Sequence, residues 1–357
     1  MDFEVSNDHN ELASLARDIV TQHVAGAGAP CFDQKLWHDL GKAGVLSAAL
    51  PESVGGAGLG FLEQCGVLIE LGRTLAPAPY LSSIVLGASA IATFGTPQQQ
   101  DRWAVPAARG DILLTAALPD PSVPMAPSVR LGGTDGAIGT FETVPAAPWA
   151  DAVLVPAGGA RYIVAAGDDG VSIEPQELTD GVTAGRVVLD AALLAALRAD
   201  PDRRLGGGEA LTEWLLARGT VALCALQLGI TERAVELTAE YATQRVQFGR
   251  PIGTFQAVSQ RLADAWIDVE AIRLTMWQAA WQLTDGMPAD LAISTAKFWA
   301  ADAGHRVAHT AVHVHGGVGI DISHPLHRYF AAAKSNEFTL GNATTQLRRV
   351  GAELAKP

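Results

Sequence analysis

Arg245-Val-Gln-Phe-Gly-Arg-Pro-Ile-Gly-Thr-Phe-Gln256 decides how this chain is read. It is a polar stretch between two long helical patterns. Gly249, Pro251 and Gly253 are its turn residues, and Arg245 and Gln256 its expected ligand-facing groups. Further on stands His313-Val-His-Gly-Gly-Val-Gly319. Glycines after two imidazoles let a backbone come close to a diphosphate or a ring.

The chain has 357 residues, enough for one large domain or two to three ordinary ones. Hydrophobic residues make up 48% and charged residues 18%, so there is material for a core. The net charge of −13 argues against nucleic acid or an anionic membrane as partner. A phosphate-bearing small ligand needs only local positive charge. Cys31, Cys65 and Cys224 are far apart and follow no metal spacing, so they are read as reduced thiols of a cytoplasmic protein. No His/Cys/Asp/Glu set has metal spacing either. No signal-peptide pattern opens the chain, and no apolar run is read as a membrane span.

Working outward from the quoted stretch, Glu209 to Thr243 before it and Gln256 to Leu283 after it have helical spacing. Ala289 to His313 and Thr344 to Leu354 continue the series. Helices of this length pack as a four-helix bundle. Upstream of Leu205 the texture differs. Ile112–Leu118, Ala152–Val155, Tyr162–Ala166, Val171–Ile173 and Arg186–Leu189 are strand-length apolar runs between turn residues, which predicts a small antiparallel β domain. Before it the chain is again helical: Asn10–His23, Asp33–Gly44, Phe61–Leu75, Leu81–Phe94 and a helix opened by Thr96-Pro97. Leu50 to Gly60 holds four glycines and a proline, and reads as a long loop. The predicted fold class is α+β, with domains 1–111 (helical), 112–205 (β) and 206–357 (helical bundle).

The first stretch resembles the R-x-x-F-G-x-x-I-x-x-F-Q motif of the acyl-CoA dehydrogenase family, and the second its Q-x-x-G-G-x-G motif. Trp37-His-Asp-Leu-Gly-Lys-Ala-Gly-Val45 and the glycine loop after it are similar to that family's N-terminal domain, and the α, β, α order covers the whole chain. The resemblance implies FAD, an acyl-CoA substrate and α,β-dehydrogenation of its thioester. It assigns Arg245 to the FAD diphosphate, Phe248 and Gln256 to contacts beside it, and His313, Val314, His315, Gly316 and Gly317 to the adenosine end. Asn342 and Thr344 fall where the family's last loop touches the cofactor. His305, His309, His324 and His327 are read as surface or capping residues.

The reaction needs a carboxylate to take the α proton, because that C–H is a poor acid. Counted from Pro325-Leu-His-Arg, the family's base position is Leu340; counted from the last helix it is Asn342. The alternative base position, on the first long helix of the bundle, is Gly219. The nearest acids are Glu337 and Glu213, and Glu213 lies about 240° round the helix from Gly219. Where the family carries T-E-P-x-A-G-S-D against the flavin ring, this chain has Ala116-Ala-Leu-Pro-Asp-Pro-Ser122, with two prolines that lack N–H donors. Phe141-Glu-Thr143 is the remnant of a second ring-contact segment.

The chain thus resembles the base-less subunit of heteromeric α2β2 acyl-CoA dehydrogenases of bacterial steroid side-chain breakdown. Its implied partner is a paralogous subunit carrying the catalytic Glu. Two readings stay open beside it. One is a self-sufficient dehydrogenase with Glu337 or Glu213 as relocated base; the other is a non-enzymatic acyl-CoA-binding or structural relative.

Overall fold

The computed structural model describes residues 6–23, 32–119, 137–157 and 159–356. Cys31 and the Asp120-Pro-Ser122 part of the ring-contact segment lie outside them. Contacts divide the chain into two compact units: Met1–Pro30, Cys65–Pro77 and Thr220–Pro357 form one; Cys31–Gln64 and Ala78–Gly219 form the other.

The helices begin at α1 (Asn7–His23), α2 (Gln34–Lys42) and α3 (Phe61–Thr74). Asp33 caps α2, its carboxylate accepting from the Lys35 and Leu36 amides at 2.9 and 3.0 Å, so the predicted start is physically determined. A π-helical stretch, Leu81–Ala88, runs into α4 (Ser89–Phe94). Then come α5 (Pro97–Gln99), a π turn at Gln100–Ala104 and α6 (Val105–Arg109). Thr96 and Gln99 form a capping box with Pro97 at the first helical position.

Two sheets follow. One has the order β1 (Leu114–Ala116), β3 (Ala152–Ala157), β4 (Ala160–Ala165), β7 (Arg204–Leu205). The other has the order β2 (Ala137–Pro145), β6 (Thr183–Asp190), β5 (Val171–Glu177). Phe141, Val153, Val155, Tyr162, Val187 and Leu189 are among the buried side chains of one core here. The expected β region is present, with one correction: β1 pairs with β3 in parallel, Leu114 opposite Ala152. Neither β2 as a whole nor α7 (Ala191–Ala199), which Asp190 caps, was expected.

The C-terminal part contains α8 (Gly208–Gln244), the hairpin β8 (Val246–Gln247) and β9 (Arg250–Pro251), then α9 (Gln256–Thr284), α10 (Asp290–His315), α11 (Leu326–Phe338) and α12 (Ala343–Leu354). Five helices stand where four were predicted. The extra one, α11, buries only Leu326, Tyr329 and Ala333. By length and composition α8 could cross a membrane, contrary to the sequence reading, but 72% of its apolar window is buried inside the protein. Its apolar residues are core residues.

Within the first unit α3 and α8 cross at backbone contact. A Cβ on Gly229 would lie 2.0 Å from the Ile69 carbonyl, and one on Gly72 would lie 2.3 Å from that of Leu226. No side chain fits between them. Gly229→Ala is expected to cost about 3 kcal/mol or more, because the obstacle is rigid backbone. A denaturant midpoint unchanged from wild type would contradict this.

Candidate nucleotide-binding site

The two motifs meet at one end of the bundle, within the first unit. Tyr241, near the end of α8, stacks on His315, the last residue of α10, with ring centroids 4.3 Å apart. Four residues after Tyr241 the chain leaves α8 at Arg245, whose amide donates to the Tyr241 carbonyl at 2.8 Å. The hairpin then turns on Phe248 and Gly249, with φ of 51° and 77°. Gln247 pairs with Arg250 across that two-residue loop, which makes it the primed turn suited to a tight hairpin. The Ile252 amide returns to the Arg245 carbonyl at 2.8 Å. Gln256 is the first residue of α9.

This geometry presents the predicted side chains outward. Arg245, Gln256 and His313 are exposed, and Phe248 is 93% exposed. A phenylalanine in the left-handed region with its ring in solvent is strained and unsheltered, which points to something that covers it. The rings of Phe248 and Phe255 make an edge contact at 6.1 Å, and the Arg250 guanidinium lies 4.2 Å over Phe255. Arg245 has no ion pair or side-chain hydrogen bond among the described residues, so its fork is free for an anion.

At the second motif the expected loop is partly helix. His313, Val314 and His315 form the last turn of α10, and Gly316, at φ 63°, ends it. Val314 and His315 are buried. This corrects both as outward-facing contacts: Val314 is core, because its position on α10 faces the bundle. His315 Nδ1 bonds to the Ala311 carbonyl at 2.8 Å, while its buried Nε2 has no partner. A Cβ on Gly316 or Gly317 would meet nothing within 4 Å, so that backbone is open to a ligand. His313 also borders a groove of about 810 Å³ between α9 and α10, with Arg261, Asp264, His305, His309 and Thr310. That groove was not legible in the sequence, because its lining residues, around Arg261 and around His309, lie far apart along the chain.

The residues at this end fit the diphosphate and adenosine of FAD: a free guanidinium, open glycine backbone, an orphaned imidazole nitrogen and an uncovered aromatic ring. The ring-contact segment does not fit in the same way. Ala116, Ala117, Leu118 and Pro119 offer no hydroxyl, and Pro119 no N–H.

The positions that the resemblance implies for a base are Leu340 or Asn342, and Gly219. Leu340 is 9% exposed, with φ 58°. Asn342 caps α12, its side-chain oxygen accepting from the Thr345 amide and hydroxyl at 3.0 and 3.1 Å. Gly219 is buried and Glu213 exposed. The Glu337 carboxylate accepts from Lys334 at 2.5 Å and lies 3.1 Å from His305 Nδ1, to which Lys334 also donates at 2.8 Å. His324 and His327 make turn and capping bonds, as expected. Among the described residues no group of three or more His, Cys, Asp or Glu could hold a metal ion.

Burial lowers the pKa of His9, His315 and His309; at His309, His305 and Lys334 add to the effect. Each imidazole therefore binds its proton more readily in the unfolded chain. Their contribution to stability is complete above the ordinary value near 6.5 and is lost as pH falls through the depressed values. The melting temperature should fall between about pH 7 and about pH 5, and His9→Gln should flatten that slope. An identical slope in the variant would show that His9 makes no contribution.

The acyl-CoA dehydrogenase N-terminal domain family matches residues 6–111, and the acyl-CoA dehydrogenase C-terminal domain family matches residues 206–355. The chain belongs to the acyl-CoA dehydrogenase family. It is 50% identical over 339 residues to acyl-CoA dehydrogenase FadE27 of Mycobacterium tuberculosis (strain ATCC 25618 / H37Rv), covering 91% of this chain and 89% of that one. It matches a chain in the crystal structure of the ChsE4-ChsE5 complex from Mycobacterium tuberculosis with a TM-score of 0.90 and 47% identity, covering 100% of both. It matches a chain of the Tcur3481-Tcur3483 steroid ACAD G363A variant with a TM-score of 0.87 and 38% identity, covering 98% of both.

Proposed function

We propose that this chain is the base-less subunit of a heteromeric, FAD-dependent acyl-CoA dehydrogenase. Arg245, Phe248, Gln256, His313, Gly316 and Gly317, with the buried His315 behind them, hold the diphosphate and adenosine end of FAD. A paralogous chain supplies the ring contacts and the catalytic Glu. The substrate is an acyl-CoA thioester of the steroid side-chain class, a reading supported by the steroid and two-chain relatives described above. The three-domain division at 111 and 205 is part of the proposal.

One observation carries it: a free Arg245 stands on a chain whose expected base positions are Leu340 or Asn342, and Gly219. The bound flavin would accept the β hydride. This chain's residues bind and orient its nucleotide end, and none of them is placed to take the α proton. Arg245 neutralises diphosphate charge through a planar fork. The hairpin fixes the backbone that carries that fork, and the glycine backbone at 316 and 317 admits the adenosine.

A self-sufficient enzyme would need Glu337 or Glu213, yet the first is bound to Lys334 and beside His305, and the second is exposed. In a complex co-purified with a base-bearing chain, Glu337→Gln and Glu213→Gln are each expected to leave kcat within about twofold of wild type. Loss of a proton-abstracting group costs about 100-fold or more. Such a loss with either variant would place the base on this chain.

A further inference from the structure

Arg161 takes no part in the nucleotide grip. It lies on β4, wholly buried, in the unit that also holds β1 and the first turns of α8. Its Nη1 donates to the Ala117 carbonyl at 2.7 Å, and its Nε to the Thr212 hydroxyl at 3.3 Å. Its Nη2 has no partner, and no carboxylate pairs with it among the described residues. Burial pushes its pKa down to about 10. Burying an unpaired cation is costly, and a methionine would fill similar space at less cost. The bonds Arg161 makes are therefore the physical reason for an arginine here. They tie β4, the end of β1 and the start of α8 together. The Ala117 amide already donates to Leu154 at 3.0 Å, so with Arg161 both polar backbone groups of Ala117 are held where the chain leaves the sheet toward Pro119.

We infer that Arg161 is the positioning residue of the Ala116–Pro119 wall. It is an internal donor that keeps this segment in one conformation with no flavin ring against it. The inference rests on the reading that the ring is held by the partner chain.

The test uses the full chain in complex with its base-bearing partner, comparing Arg161→Met, Arg161→Lys and Thr212→Val by hydrogen–deuterium exchange and flavin content. A charge-assisted hydrogen bond predicts that Arg161→Met speeds exchange at Ala117 and Leu118 about tenfold or more, with no change in α9 and α10. Arg161→Lys should restore most of the protection, and Thr212→Val should give a smaller local rise. Flavin content should stay at the wild-type level throughout. Unmoved exchange at Ala117 and Leu118, or an equal rise in α9 and α10, would overturn the inference. If Arg161→Met does not fold, Thr212→Val decides by the same local criterion. A local rise accompanied by loss of flavin would overturn the shared-site reading instead, because the ring would then lean on this chain.

Discussion

Arg245→Ala is expected to empty the complex of flavin while leaving the chain folded. The side chain is exposed and has no ion pair or hydrogen bond among the described residues, so its loss should change stability by no more than about 0.5 kcal/mol. The backbone around it is fixed independently, by the Tyr241 and Ile252 bonds. Its contribution is charge-assisted bonding to a phosphate, worth about 1.5–3 kcal/mol, or about 10- to 150-fold in flavin affinity. Arg245→Lys should recover only part of that, because an ammonium cannot make the forked contact. The checks are flavin absorbance per complex and melting temperature, measured on the same sample. A variant that keeps its flavin would remove Arg245 from the site. One that loses both flavin and fold would make the residue structural.

The second large effect is on stability. Arg73, near the end of α3, donates to Glu232 and Glu236 of α8, both at 2.7 Å. Glu232 is 10% exposed and also lies 2.5 Å from Arg273 of α9. The Arg73 carbonyl accepts from the Tyr329 hydroxyl of α11 at 2.7 Å. This one residue thus joins α3 to α8 and α11, and through Glu232 to α9. Breaking a buried pair costs about 3–5 kcal/mol, because the remaining charge stays desolvated. Arg73 is itself a quarter exposed, so about 3 kcal/mol is the expected loss for Arg73→Met. Urea unfolding should show a lower midpoint at an unchanged slope. A midpoint equal to wild type would mean that solvent and Arg273 compensate Glu232 fully.

The long helices were legible because their faces repeat. The limits of α8, α9, α10 and α12 fall within two residues of the predicted ones. Helix α11 was not read, although Leu326, Tyr329 and Ala333 stand at the i, i+3, i+7 spacing of one helical face; only these three of its thirteen residues are buried. Strand β2 was not legible as a strand; within it only Phe141–Thr143 stood out, as the remnant of a ring-contact segment. Its register shifts at Ala137/Gly139 and Phe141/Val144, and φ at Thr143 is 52°, so the two-residue alternation is broken. The parallel pairing of β1 with β3 is not encoded in either run alone. At the candidate site the exposure of Arg245, Phe248 and Gln256 was legible, because turn residues place a short hairpin between the ends of two long helices. The burial of Val314 and His315 was not, because two glycines next to an imidazole look like a loop until α10 is seen to run as far as His315. Nor could the stack of Tyr241 on His315 be read, since it joins separate helices. The expected lack of a base rests on residue types alone: leucine and glycine cannot accept a proton, and asparagine, the other candidate at the loop position, is no useful base.

The most direct test is a count of flavin per polypeptide. This chain is co-purified with a base-bearing acyl-CoA dehydrogenase chain, and flavin absorbance is set against the mass of the intact complex. The same measurement is made on this chain alone. One flavin for each pair of unlike chains, with dehydrogenase activity only in the pair, is the predicted result. A yellow, active assembly built from this chain alone, with one flavin per copy, would contradict it.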